Sequence, residues 1–395
     1  MNNISLLNKK SCVSCRSCEY TCPKNCISFC EDDCGFIYPE VSENCIDCGL
    51  CVNHCPILGY KKDETKKRIV KAMILKDDSL LLKSSSGGVF VGIAEYVLEK
   101  NGIVFGASFD QDFNVKQTSI TSKNELYLLQ GSKYVASDTE TSFIRVKEFL
   151  EKGKLVLYSG LPCQIAGLRA FLNKNYENLI CLDLICHGVP SATFFKEYLK
   201  RIEKKTGKKI KAFSFRDKQI NDGWGHKKNY VLFEDGTSKK ISIALDYYYS
   251  SFLFCESFRE SCYTCKYANI DRIGDVTIGD FWGFRNFYKG KAINYRKGVS
   301  VCIFNTEKGL TLLNDIQNKF FVFDSSIEDC IVENGNLKKP SQRPVIRDFI
   351  YQRIESPFFR LKILFSKKKI KWVLIMLIKQ CIPLWLLKII RKIRK

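Results

Sequence analysis

A chain of 395 residues, 45% hydrophobic and 27% charged, has room for two or three domains with buried cores and is too apolar for wholesale disorder. Its formal charge of +21 is unevenly placed: residues 1–60 carry a net −3, residues 357–395 a net +12 without a single acid, and the rest is spread thinly over the middle. A basic total with no localised basic face on the body argues against nucleic acid as the partner.

Eleven of the 20 cysteines lie within the first 55 residues. The opening Met-Asn-Asn-Ile-Ser-Leu-Leu-Asn-Lys-Lys has no apolar run of signal-peptide length, so the thiols are expected in a reducing cytoplasm, holding metal rather than forming disulfides. Cys12, Cys15, Cys18, Cys22 and Pro23 recur 33 residues later as Cys45, Cys48, Cys51, Cys55 and Pro56, so the pattern C-x2-C-x2-C-x3-C-P occurs twice. Three thiolates within seven residues can wrap three corners of an iron–sulfur cube while the fourth points elsewhere. In two-cluster bacterial ferredoxins that fourth cysteine ligates the other cluster. The expected [4Fe–4S] sets are Cys12, Cys15, Cys18 with Cys55, and Cys45, Cys48, Cys51 with Cys22. Structural zinc favours two well-separated C-x2-C pairs and fits this spacing poorly. Asp33 to Pro39 is read as the hairpin joining the loops, Cys26, Cys30 and Cys34 as packing, and His54 as a solvent-facing spacer.

The charged stretch 61–68 marks a boundary after a ferredoxin-like module at 1–60. Beyond it, helix and strand patterns alternate. A helix is expected from Gly87 to Lys100, opened by Ser84-Ser85-Ser86, then a strand Ile103–Phe109, a helix Ser142–Glu151 and a strand Lys154–Tyr158. A helix Ile165–Asn173, a strand Leu179–Ile185 and a helix Ser191–Lys204 follow. Strands at 213–215, 230–234 and 238–243 come next, the last two joined by the turn Glu234-Asp235-Gly236-Thr237. The fold class is therefore α/β with a partly parallel sheet, α+β taken over the whole chain. The expected units are 1–60, an α/β region 68–150, a second α/β region 151–330, and a basic amphipathic helical tail 331–395.

The loops hold the chemistry. The segment from Ser84 to Gly88 can offer hydroxyls and amides to a phosphate at a helix start, or simply cap that helix. No G-x-G-x-x-G follows a strand, which removes the ordinary dinucleotide fingerprint. Cys163 in Gly160-Leu-Pro-Cys-Gln164 and Cys186 in Cys186-His-Gly-Val-Pro190 lie at the ends of adjacent expected strands, where ligands of α/β proteins gather. With Cys262 and Cys265 they make four thiolates, enough for a third [4Fe–4S] cluster. A Cys163–His187 nucleophilic dyad, or singly buried thiols, are the other readings. Cys181, Cys302 and Cys330 are read as core, and Cys255 as a possible substitute in the four.

These residues resemble a family, the beta subunit of deazaflavin-coenzyme (coenzyme F-420) hydrogenases and dehydrogenases. The matching segments are Ser84 to Phe90, Gln130 to Ser137, Gly160 to Leu168, Leu184 to Ser191, Ser214 to Asp217, and Cys262 to Ala268 through Gly279-Asp-Phe-Trp-Gly283. The resemblance implies bound FAD, a cluster in the body and electron exchange between two-electron flavin and one-electron clusters. It implies flavin contact at Ser84, Ser86, Gly87, Gly88, Gly131, Lys133 and Tyr134. Arg216 would bind an anionic partner or pair with Asp217, and Phe281 and Trp282 would stack on the flavin ring or fill core, with core preferred. The implied partner is a redox protein or a deazaflavin- or ferredoxin-type donor, with no catalytic residue singled out. A non-catalytic iron–sulfur protein serving cell-envelope polysaccharide synthesis is the alternative.

From Pro357 onward, apolar and basic residues alternate. Lys379, Gln380, Pro383 and Lys388 interrupt the stretch 372–390, which therefore suits an anionic membrane surface better than a span, with Trp372 and Trp385 at the interface. A helix packed on the body is the alternative. The expected location is the cytoplasm, with peripheral attachment to the inner face of the membrane.

Overall fold

The computed structural model describes residues 2–59, 68–221, 223–225, 228–288, 294–353 and 369–375. At the N-terminus, β1 (Ile27–Glu31) and β2 (Ile37–Val41) form an antiparallel hairpin, Ile27 opposite Val41 and Glu31 opposite Ile37. Its turn is fastened by Asp32, whose carboxylate accepts from the amides of Cys34 and Phe36. The two cysteine loops flank this hairpin.

The body is organised by β3 (Ile69–Leu75), β4 (Ile103–Phe109), β5 (Val115–Ile120), β6 (Ser137–Asp138), β7 (Val156–Gly160) and β8 (Leu179–Leu184). A separate antiparallel sheet follows, β9 (Ile210–Ser214), β10 (Lys228–Phe233) and β11 (Ser238–Ser242), in the order β11-β10-β9. Then come β12 (Val276–Asp280), β13 (Ser300–Phe304) and β14 (Phe320–Ser325). Among the described residues the main sheet runs β14-β3-β13-β12-β8-β7-β4-β5-β6. Its centre, β12-β8-β7-β4, is parallel, and its flanking pairs are antiparallel except β5 with β6. The mixed α/β class is thus the observed one.

Central strands are buried on both faces, which is why Ser300–Phe304 and Ile69–Leu75 read as near-continuous apolar runs. Helices Val89–Glu99, Pro162–Leu172 and Glu307–Ile316 cover the sheet with residues such as Ile93, Ile165 and Leu312. A second, aromatic core joins helix Ala192–Thr206 to the small sheet through Phe194, Phe195, Tyr198, Phe213, Phe215 and Tyr248.

Two expectations need correction. The serines do not open the helix that starts at Val89: its N-cap is Gly88, at φ +81° and without a side-chain cap. Ser84 instead ends helix Asp78–Lys83, its hydroxyl donating to the Leu80 carbonyl at 2.8 Å. In the tail, helical residues 369–375 lie on the body. Trp372 meets Phe254 edge-on at 5.4 Å, and buried Lys369 pairs with buried Glu256. Trp372 is therefore engaged with protein, while Ile370, Leu374 and Ile375 face outward. Trp385 and the rest of the basic run lie outside the described residues, and no helix among those described is long and apolar enough to cross a membrane.

Candidate redox site

A cavity of about 640 Å³ opens between the C-terminal ends of the parallel strands, the serine loop and the aromatic core. Strand ends collect ligands in α/β sheets because the loops that follow them diverge there. Ser84, Ser86, Gly88, Gly131, Lys133 and Tyr134 all line it. The serine loop and the Gly131 segment, 47 residues apart, are joined by Ser85, whose hydroxyl accepts from the amide and pairs with the hydroxyl of Ser132, both at 2.9 Å. Gly87 does not line the cavity. Its amide donates to Ser300 Oγ, and a Cβ there would fall 2.3 Å from the Met73 carbonyl, so its smallness serves the close approach of loop to sheet. Tyr134 presents a wall but spends much of its ring on Phe252, 4.3 Å away, and on Phe215 and Tyr249.

Four features of the wall and its backing depend on contacts between distant segments that the sequence did not show. Lys218, buried, donates Nζ to the carbonyls of Leu81 and Ser86 and so pins the serine loop from behind. Burial, with Arg216 adding repulsion, pulls its pKa down to about 7. Arg216 is buried and pairs with Asp280, not with Asp217, whose carboxylate instead accepts from the amides of Gln219 and Ile220. Trp282 is not core: 42% exposed, it stacks on Trp224 at 4.7 Å and 4°, with the Arg216 guanidinium 5.1 Å from its ring. Gln117 Oε1 and Gln130 Nε2 are buried on the cavity wall without a hydrogen-bond partner. Orphaned buried polar atoms of this kind carry a desolvation cost that a polar ligand would relieve. Lys133, whose Nζ donates to the Gln130 carbonyl at 2.9 Å, has its pKa drawn down to about 8 by burial.

Cys186 lies in the cavity wall, at the end of β8. It is grouped with Cys163, Cys262 and Cys265: burial pushes all four thiols up, and in the first three a neighbouring thiol of the set pushes the same way. The adjacency of Cys163 and Cys186 follows from the parallel pairing of β7 with β8, Gly160 opposite Asp183. The loop carrying Cys262 and Cys265 is held to the end of β8 by the fully buried pair Arg272–Asp183, at 3.0 Å, and by Arg272 donating to the carbonyls of Tyr267 and Leu184. His187 lines the cavity and Cys163 does not, neither is among the groups that shift the other's pKa, and no hydrogen bond joins them among the described residues. Cys181, Cys302 and Cys330 are core.

In the N-terminal module, one small hollow is lined by Cys12, Cys15, Cys18 and Cys55, and a second by Cys22, Cys45, Cys48 and Cys51. The crossing of the fourth cysteine between repeats is thus present in the fold. Cys30 is exposed rather than packed, and Cys26 joins the second hollow. The first hollow abuts the body. A Cβ on Gly167 would lie 2.5 Å from Cys15 Cβ, and Cys15 is among the thiols that raise Cys163. Arg16 clasps Asp138 through two bonds of 2.6 and 2.7 Å, Arg259 Nε donates to the Cys12 carbonyl at 2.8 Å, and Tyr267 OH to the Pro56 carbonyl at 3.1 Å.

With this geometry in place, comparison with known proteins is informative for one segment. Residues 153–328 match a family model that describes the C-terminal region of the coenzyme F420 hydrogenase/dehydrogenase beta subunit. This segment is what the chain has in common with that family. The matched segment contains Cys163, Cys186, Cys262, Cys265, Arg216 and Lys218, and it relates the chain to oxidoreductase subunits. A solved structure, a xenon derivative of the F420-reducing [NiFe] hydrogenase complex from Methanosarcina barkeri, is similar at 15% identity, covering 78% of this chain and 94% of that one, with a TM-score of 0.44. No curated protein matches.

Proposed function

We propose that the chain is an iron–sulfur flavoprotein oxidoreductase in which the cavity holds FAD and the three cysteine sets hold [4Fe–4S] clusters. The observation that carries the reading is a series of neighbouring thiols, from Cys186 in the cavity wall through Cys163, Cys15, Cys18 and Cys51 to exposed Cys48. When bound, flavin exchanges electron pairs with a substrate and the clusters pass single electrons. The chain's own residues would fix the geometry. Ser85 and Ser132 join the two loops of the cavity, Lys133 offers a cation to an anionic group, and Gln117 and Gln130 present one acceptor and one donor to a polar ring edge. Deazaflavin coenzyme or a ferredoxin-type protein is the proposed redox partner. The units of this reading are the module 1–60, the regions 68–150 and 151–330, and the tail 331–395.

Anaerobic purification with iron and sulfide supplied should yield about twelve iron per chain, four for each cube, together with flavin in about equal amount. Cluster iron without any retained or rebound flavin would leave a plain electron carrier. Attachment of the tail to an anionic membrane belongs to the same reading on its charge alone, and equal binding to neutral and anionic vesicles would remove it.

A further inference from the structure

The second hollow of the N-terminal module has five thiols around it, one more than a cube binds. Cys26 lines it with Cys22, Cys45, Cys48 and Cys51 and is 6% exposed, with its Sγ 3.3 Å from that of Cys22. The backbone is built to return it there: Asn25, at φ +51°, donates its amide to the Cys22 carbonyl at 3.2 Å and reverses the chain. The other repeat lacks this arrangement. Thirty-three residues on, the position of Cys26 is occupied by Gly59, where even a Cβ would fall 2.6 Å from the Val52 carbonyl. The extra thiol therefore accompanies only the hollow whose rim is open, at exposed Cys48 and half-buried Cys22 and Cys45.

The geometry points to Cys26 as a reserve ligand of the exposed cluster, able to take the iron that Cys22 holds. This inference rests on the cluster reading above. A rotation about χ1 carries a cysteine sulfur about 3 Å, comparable with the separation of the two thiols. When Cys22 is absent, the Cys26 thiol gives its proton to solvent and forms the sulfur–iron bond that Cys22 would have made. No electron is exchanged. A site from which ligands are most easily lost by oxidation is where a spare thiol has a use.

The test is the iron and acid-labile sulfide content, with the paramagnetic resonance spectrum after reduction, of anaerobically reconstituted full-length protein and three variants. If the parent holds no cluster iron, the cluster reading itself fails. With a parent of about twelve iron, Cys22→Ala should keep all of it, while Cys22→Ala/Cys26→Ala and Cys55→Ala, which has no spare thiol, should each fall to about eight. Recovery of Cys22→Ala only as insoluble protein or with about eight iron would overturn the proposal. So would retention of full iron by the double variant.

Discussion

Cys15 and Cys48 hold equivalent places in the two cysteine repeats, yet Cys15 is buried under Gly167 and Cys48 is open to solvent between exposed Ile46 and Leu50. The spacing of each repeat is the same, so the spacing cannot be what distinguishes them. The body does. It supplies Asp138, Thr139, Gly167 and Arg259 to the first loop, whereas the second is supported mainly from within the module, by Asn3 donating to Asp47 at 2.7 Å. On the proposed reading, packing gives the duplicated motif two duties: an internal link to the body at buried Cys15, and an outlet to a partner at exposed Cys48.

The largest expected effect separates these duties directly. Cys15→Ala and Cys48→Ala should each cost about four iron. Only Cys15→Ala should reduce electron delivery from the cavity side to a small soluble acceptor to background, and equal losses in the two variants would erase the distinction. Next in size is Arg259→Ala, which removes buried charge-assisted bonds to the carbonyls of Cys12 and Ile37. It should lower unfolding stability by about 2–3 kcal/mol, against about 1 kcal/mol for Asn3→Ala at the outer loop, both read by denaturant unfolding of loaded protein. Gly167→Ala should cost about 1–3 kcal/mol, because the added methyl meets Cys15 at less than contact distance. A clean wild-type unfolding curve for that variant would mean the module is not pressed against the helix.

The smallest effect concerns the cavity. Lys133 has its pKa depressed to about 8 by burial, so its cation is present below that pH and fades above it. Flavin binding should weaken by up to about tenfold per pH unit above 8 in the parent and stay flat in Lys133→Gln. The linkage for the empty fold has the opposite sign. Between about 8 and the ordinary lysine value near 10.4, the unfolded chain binds more protons, so stability should rise with pH. Titration calorimetry and denaturation at pH 7, 8 and 9 read both.

Much of the body was legible in the sequence where patterning is local. The strand Ile103–Phe109, which follows the helix stop Asn101-Gly102, and the helix Ser142–Glu151 were placed to the residue. Ser300–Phe304 and Ile69–Leu75 escaped assignment because strands covered on both faces lose the alternation that marks a strand. The cavity was half legible. Its serine loop and Gly131 segment carry local signatures, but Arg216 meets Asp280 across 64 residues and Lys218 meets Ser86 across 132, and no spacing rule reports such meetings. Trp372 was misread because an amphipathic basic helix has the same pattern whether its apolar face meets lipid or Phe254.

From its sequence alone this protein was determined to be a duplicated cysteine module joined to an α/β body, because ligand spacing and apolar period are properties of neighbouring residues. Which repeat is sealed against that body, which thiol reaches the cavity and where a fifth sulfur lies beside Cys22 were decided only by the tertiary structure. Each of these depends on surfaces brought together from distant parts of the chain.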